Sequence, residues 1–176
     1  DVLYAAQTQR AINNFPISGR RMPQNFVRAV ITIKKAAAQA NIQLGEITSK
    51  IGNAIIEACD TLFMDPNLMD HFPVDVFQTG SGTSSNMNVN EVLATLASDI
   101  LNDDVDANDH VNCSQSSNDV IPTAIHVSAA QALHLDLIPA LSYLSRAIRK
   151  KAKEVGHFVK TGRTHLMDAM PITMGQ

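Results

Sequence analysis

Apolar residues recur along this chain at three- and four-residue spacing, the period of helices that bury one face. Leu3 to Asn13 reads as a short helix closed by Phe15-Pro16. Pro23 suits the first turn of a second helix, whose apolar stripe of Phe26, Val30, Ile33 and Ala37 ends before Gly45. Thr48 or Ser49 caps a third helix carrying Ile51, Ile55, Ile56 and Cys59, and Asp65-Pro66-Asn67 stops it. His71 to Thr83 loses the period, with room for a short extended piece between Phe72 and Phe77.

Helix resumes near Asn86 and runs to about Asn102, with Val89, Val92, Leu93, Leu96 and Ile100 on one side. Asp103 to Val111 is a polar connection near a domain seam. The longest helical pattern follows from Asn118, through Ile121, Ala124, Val127, Leu133, Leu137, Leu141, Leu144 and Ile148. Pro122 is placed in its first turn, and Pro139 is predicted to kink or interrupt it. A helix of that length belongs in a bundle. The expected architecture is mainly α: an N-terminal helical domain over residues 1–112, then the beginning of a long central helical bundle over 113–176. No closing element is predicted after Gly162, and the sequence stops at Gln176 soon after a polar motif, so it reads as the front part of a longer chain.

Composition agrees with packed helices. Of 176 residues 45% are hydrophobic, but only 5% are aromatic and Trp is absent, so the core rests on Ala, Val, Ile, Leu and Met. The net charge of −3 argues against a general nucleic-acid binder. The basic run Arg146, Arg149, Lys150, Lys151 and Lys153 reads as a solvated helix face. Cys59 and Cys113 form neither a disulfide framework nor a zinc pattern, fit a reducing compartment, and each reads as a buried small hydrophobe. No stretch reads as long and apolar enough to span a bilayer, and no signal peptide is visible.

Three polar motifs interrupt this helical background: Thr79-Gly80-Ser81-Gly82-Thr83, Ser116-Ser117-Asn118-Asp119 and Gly162-Arg163-Thr164-His165. The second consists of N-cap residues placed just where apolar periodicity begins, so it caps a helix. The same exposed N–H groups and positive dipole end suit a carboxylate, and the two roles are compatible. In the first motif two glycines let the backbone approach a ligand; no Gly-Lys-Ser or Gly-Lys-Thr follows, so it is not a P-loop. Asn86, Asn88 and Asn90 alternate just beyond it, ahead of Glu91, which leaves a functional role open beside capping. In the third motif His165 stands out by its neighbours and suits proton transfer near neutral pH. His71, His126, His134 and His157 read as structural or exposed, and Asp168 as orienting the loop or, by preference, capping a turn.

Together these segments resemble class II fumarase of the aspartase/fumarase superfamily. The resemblance lies in Phe77-Gln78-Thr79-Gly80-Ser81-Gly82-Thr83, Asn86-Met87-Asn88, Asn90-Glu91, Asn108-Asp109-His110-Val111-Asn112, Ser114 to Asp119 and Gly162-Arg163-Thr164-His165-Leu166. Ala6 to Ala11 and Asn14-Phe15-Pro16 extend it to the N-terminal segment. It implies a mainly α-helical homotetramer that hydrates fumarate reversibly to (S)-malate without cofactor or metal, in a site assembled from three subunits. By position, Ser81, Gly82, Thr83, Ser116, Ser117, Asn118 and Thr164 are implied to bind substrate, and His165 to donate or accept a proton through water. A second dicarboxylate site maps to Asp106, Ala107, Asn108 and Asp109. There the family's His-Pro is replaced by Asp106-Ala107, an acid for a positively chargeable group, which predicts impaired anion binding. The family's mobile loop, with its catalytic serine and a lysine, has no counterpart up to Gln176, so this segment alone is expected to be inactive. Aspartate ammonia-lyase is the nearest rival; Ser81 between the glycines and His165, where aspartases tend to have Ala and Gln, favour fumarase. A non-catalytic helical assembly module is the rival of another class. The expected setting is the cytoplasm, or the mitochondrial matrix in a eukaryote, with no nucleic-acid or membrane partner.

Overall fold

The computed structural model describes residues 2–176. The chain divides into two compact units, Asp1–Ala129 and Ala130–Gln176. The turn at Ala107–Val111 packs on the helices Ser49–Met64 and Thr83–Leu101.

The helices of the first unit are α1 (Ala6–Asn14), α2 (Gln24–Leu44), α3 (Ser49–Met64), α4 (Thr83–Leu101) and the start of α5 (Ser117–Ala132). Pro23 precedes α2 as its N-cap, one residue outside the expected first turn, and its carbonyl accepts the Val27 N–H at 3.1 Å. Gly45 ends α2 in the left-handed region at φ 76°, and its N–H returns to Asn41 and Ile42. Thr48 caps α3 through Ile51 N–H at 3.3 Å. The two helices approach so closely at Gly52 that an added Cβ would lie 2.4 Å from Ile42 Cγ1.

Val30, Ile31, Ile55, Ala58, Cys59, Leu62, Val92 and Leu93 form the centre of the core, with α4 lying against α3, α2 and α1. The buried face of α2 is rotated from the expected stripe: it runs through Val27, Val30, Ile31, Lys34, Ala38 and Asn41, while Ile33 and Ala37 are only half-buried. A lysine and an asparagine thus occupy core positions. The expected extended piece forms no strand; Asp75 makes a lone bridge with Arg21. Two buried carboxylates tie down the N-terminal segment. Asp75 accepts from Ser18 and Gly19 N–H at 2.7 Å each. Glu91 accepts from Ala5, Gln7 and Thr8 N–H at 2.8–3.0 Å, supplying from α4 the cap that α1 lacks at Ala5.

In the second unit α6 (Ile138–Glu154) leads to a hairpin of β1 (Val159–Thr164) and β2 (Met167–Thr173). No strand is expected there from the sequence. The hairpin turns on His165-Leu166, both at positive φ (48° and 60°), without the Gly or Asn that normally announces such a turn. Pro122 lies inside α5 rather than in its first turn. Ahead of Pro139 the helix widens into a π segment at Leu133–Leu137, which accommodates the missing proline N–H without a break. The resulting run, Ser117–Glu154, spans 38 residues with a window of mean hydropathy 1.2, so one helix is long and apolar enough to cross a membrane by length and composition. That corrects the expectation of none: the apolar residues are spread along one long helix instead of forming an unbroken run.

Candidate functional site

The first polar motif becomes the N-terminus of α4. Gly82 is its N-cap at φ 69°, and a Cβ there would meet Ile121 of α5 at 3.1–3.2 Å. Glycine relieves both the left-handed backbone and the close crossing, which sets the starts of α4 and α5 side by side. Gln78 accepts from Ser85 N–H at 2.7 Å and donates to Ser85 Oγ at 2.7 Å, while Thr79 Oγ1 accepts from Ser84 N–H at 3.4 Å. Ser116 caps α5, its Oγ accepting the Asn118 N–H at 3.3 Å.

Across the two helix starts runs a chain of hydroxyls: Ser81 Oγ to Thr83 Oγ1 at 2.8 Å, and Thr83 Oγ1 to Ser117 Oγ at 3.1 Å. Each hydroxyl carries one proton, so two contacts among three hydroxyls leave one O–H unspent. Among the described residues Ser116 Oγ is engaged only as an acceptor in its cap, so its proton is also free to donate. Ser81, Thr83, Ser116 and Asn118 are exposed and Ser117 half-buried. The site therefore offers neutral donors at two helix N-termini, an arrangement suited to an anion.

Thr164 and His165 are carried by the second unit, at the hairpin tip, both exposed, with Thr164 Oγ1 3.4 Å from His165 Nδ1. Arg163 pairs with Asp168 at 3.1 Å across the hairpin, so Asp168 braces the strands rather than capping a turn. Left-handed backbone at His165 and Leu166 is a costly conformation for a leucine, and Leu166 is fully exposed.

At the second expected anion site Asp106 N-caps the π turn Ala107–Val111. Its carboxylate accepts from Asn108 N–H at 2.7 Å and Asp109 N–H at 2.8 Å. The Asp109 and then the Asn108 N–H hold this carboxyl below the usual carboxylate range. His110 Nδ1 accepts the Asp106 N–H at 2.9 Å, so its free proton is on Nε2. The backbone donors of this turn are thus filled by the chain's own carboxylate.

Asn86, Asn88 and Asn90 are buried. Asn88 donates to His71 O at 3.0 Å, while Asn86 and Asn90 donate to Asn112 Oδ1 at 3.1 and 3.2 Å. Lys34, with 0% exposure, donates to Asn112 Oδ1 at 2.9 Å and Gln115 Oε1 at 3.0 Å. Burial lowers the Lys34 ammonium to about 7, an effect partly opposed by Cys59. Sequence reasoning assigns Lys34, Asn112 and Gln115 no role; the available signal is a lysine at a core position of α2. Cys59 is buried as expected and Cys113 only half-buried.

A protein family described as lyase matches the chain over residues 1–176. The chain belongs to the lyase family. It is 61% identical over 174 residues to fumarate hydratase class II 2 of Pseudomonas aeruginosa, covering 99% of this chain and 38% of that protein. It is 54% identical to the class II fumarate hydratase of Xylella fastidiosa, covering 100% of this chain and 37% of the relative. The crystal structure of class II fumarase from Schistosoma mansoni superposes with a TM-score of 0.94 at 40% identity, covering 99% of this chain and 38% of that one. The chain spans under two-fifths of the length of these relatives.

Proposed function

We propose that this chain supplies part of the substrate site of an enzyme that hydrates fumarate reversibly to (S)-malate. The observation that carries the reading is the hydroxyl chain Ser81–Thr83–Ser117 spanning the starts of α4 and α5. Dehydration of malate removes a proton from carbon next to a carboxylate, which concentrates charge in an aci-carboxylate. Hydroxyl, amide and helix N-terminal donors fixed before that charge develops stabilise it without reorganisation. In this reading Ser81, Gly82, Thr83, Ser116, Ser117, Asn118 and Thr164 hold the dianion. His165 moves a proton through water.

The relatives named fumarate hydratase class II support this reading, as do Ser81 and His165 against the ammonia-lyase alternative. The working form is a homotetramer in which three subunits share each site, and the exposed apolar face of α5 and α6 is covered by other helices of the bundle instead of lipid. The substrate is a small dicarboxylate, no cofactor takes part, and the enzyme works in the cytoplasm, or in the mitochondrial matrix if eukaryotic. The Asp106 turn, filled by its own carboxylate, does not take a second dicarboxylate.

The test is turnover by the full-length enzyme containing this chain. It is expected to convert fumarate to malate, and His165→Asn is expected to lower kcat by about 10²-fold or more while changing dicarboxylate affinity much less. Absence of malate, or efficient ammonia addition to fumarate, overturns the reading. An unchanged rate in the variant removes His165 from it.

A further inference from the structure

A polar cluster built on the buried Lys34, and linked through Asn112 to α4, is not explained by stability alone. Lys34 reaches from the core face of α2 to amide oxygens of Asn112 and Gln115, and no carboxylate among the described residues pairs with it. Asn86 Oδ1 and Asn90 Oδ1 are buried without a hydrogen-bond partner among the described residues. A desolvated ammonium and two unsatisfied amide oxygens each cost stability, and a hydrophobic side chain at position 34 would avoid the first cost. Local rules broken in one place, beside a candidate site, point to a functional constraint.

The constraint is visible in what the cluster holds. Asn112 Oδ1 gathers Lys34 together with Asn86 and Asn90, which lie one and two turns into α4 beyond Thr83. Asn112 Nδ2 donates to Gln115 O at 3.1 Å, and Gln115 Nε2 donates to Val111 O at 2.9 Å and Cys113 O at 3.0 Å. Asn41 adds a second donor to Cys113 O at 3.0 Å. The segment from Val111 to Gln115 is therefore clamped by side chains, and it delivers the chain directly into Ser116-Ser117-Asn118. One hub fixes both α4, which carries Thr83, and the entry to α5, which carries Ser117.

We propose that Lys34, acting through Asn112 and Gln115, is a positioning residue that sets the spacing of the Thr83 and Ser117 donors for the dicarboxylate. Lys34 does not touch substrate in this role. Its ammonium fixes two amides, and they fix the loop. The inference deepens the hydratase reading and rests on it.

The experiment compares full-length wild-type enzyme with Lys34→Met and Lys34→Gln, since Gln keeps N–H donors at nearly the same reach and Met keeps only the packing. Each is assayed for kcat and KM with fumarate, and for thermal midpoint with and without succinate as a non-reacting dicarboxylate. Lys34→Met is expected to lose roughly tenfold to hundredfold in kcat/KM, as misplaced binding groups do, and to lose most of the succinate-induced rise in midpoint. Its midpoint without ligand is expected to stay at or above that of wild type, and Lys34→Gln to recover most of both losses. Wild-type kcat/KM in Lys34→Met overturns the proposal. So does equal damage in both variants that merely follows a fallen midpoint, because a purely structural lysine behaves that way. Should Lys34→Met fail to fold, Lys34→Gln with Asn112→Ala decides: Asn112→Ala is expected to reproduce the kcat/KM loss, and its absence refutes the clamp. Wild-type enzyme that raises its midpoint with succinate yet produces no malate would sink the hydratase reading and leave the positioning role standing.

Discussion

Lys34 is a cation whose partners are amides, and its protonation ties the core of the first unit to pH. Burial lowers its ammonium to about 7 from the ordinary 10.5, while the buried Cys59 thiol, pushed up to about 12 first by burial and then by Asp60, stays neutral. Between those two lysine values the unfolded chain binds more protons than the folded one, so the burial penalty is complete below about 7 and fades as pH rises towards 10.5. Any stability advantage of Lys34→Met over wild type should therefore shrink as pH is raised from about 7 to about 10. Urea unfolding at fixed protein concentration checks this, and a difference independent of pH contradicts it. Asp75 works in the opposite direction. The Phe77 N–H, followed by Ser18 and Gly19, lowers its carboxyl to about 2 from 3.8, so its clamp is complete above that ordinary value and lost as pH falls through about 2. Asp75→Asn should flatten the acid limb of the stability curve; an unaltered limb assigns acid unfolding to other carboxylates. The hydroxyls at 81, 83, 116 and 117 are legible as donors because their residue types state their chemistry. Lys34 is not, because the sequence period places the stripe of α2 on Phe26, Val30, Ile33 and Ala37, and only the first two of these lie on the buried face that Lys34 shares.

Among the elements, the starts of α4 and α5 matter most, and Gly82 is where they meet. A methyl group there faces both left-handed backbone at φ 69° and the Ile121 side chain at 3.1–3.2 Å. Gly82→Ala should cost about 1–2 kcal/mol from the backbone alone. Because it also pushes α4 from α5, it should lower kcat/KM in the full-length enzyme by more than that loss of stability explains. Wild-type kinetics in a folded Gly82→Ala protein would show that the helix spacing is not critical. Glu91 governs a different element: removing its carboxylate leaves the N–H groups of Ala5, Gln7 and Thr8 uncapped. Glu91→Ala is expected to destabilise by about 1–3 kcal/mol, with faster hydrogen exchange confined first to α1. Uniform exchange across the unit would contradict that assignment. The helices and the Thr48 cap are readable because period and caps are local signals. The hairpin of β1 and β2 is hidden: its turn uses His165 and Leu166 at positive φ, with no glycine to announce it. Its strand residues, Val159 to Thr164 and Met167 to Thr173, do not alternate cleanly between apolar and polar.

For the whole molecule, the chain covers 38% of its Pseudomonas aeruginosa relative, and the residues proposed to bind substrate fall in both of its units. Thr83 and Ser117 lie in the first, Thr164 and His165 in the second. The long helix Ser117–Glu154 leaves Leu133, Leu137, Leu141, Leu144 and Ile148 exposed, which fits a bundle completed by further helices. Residues 1–176 alone are accordingly expected to give no fumarate turnover, and the full-length enzyme is expected to run as a tetramer by light scattering. A fully active isolated segment would contradict a site assembled from several chains. The chain order of the polar motifs makes the family legible. The meeting of Thr83 with Ser117 is not legible, because it depends on packing between elements that no local pattern encodes. The most direct test is a crystal structure of the full-length enzyme with succinate bound. The dianion is expected within hydrogen-bond distance of Thr83, Ser117, Asn118 and Thr164, with His165 beside it. A dianion bound elsewhere, with those donors facing only solvent, would contradict it.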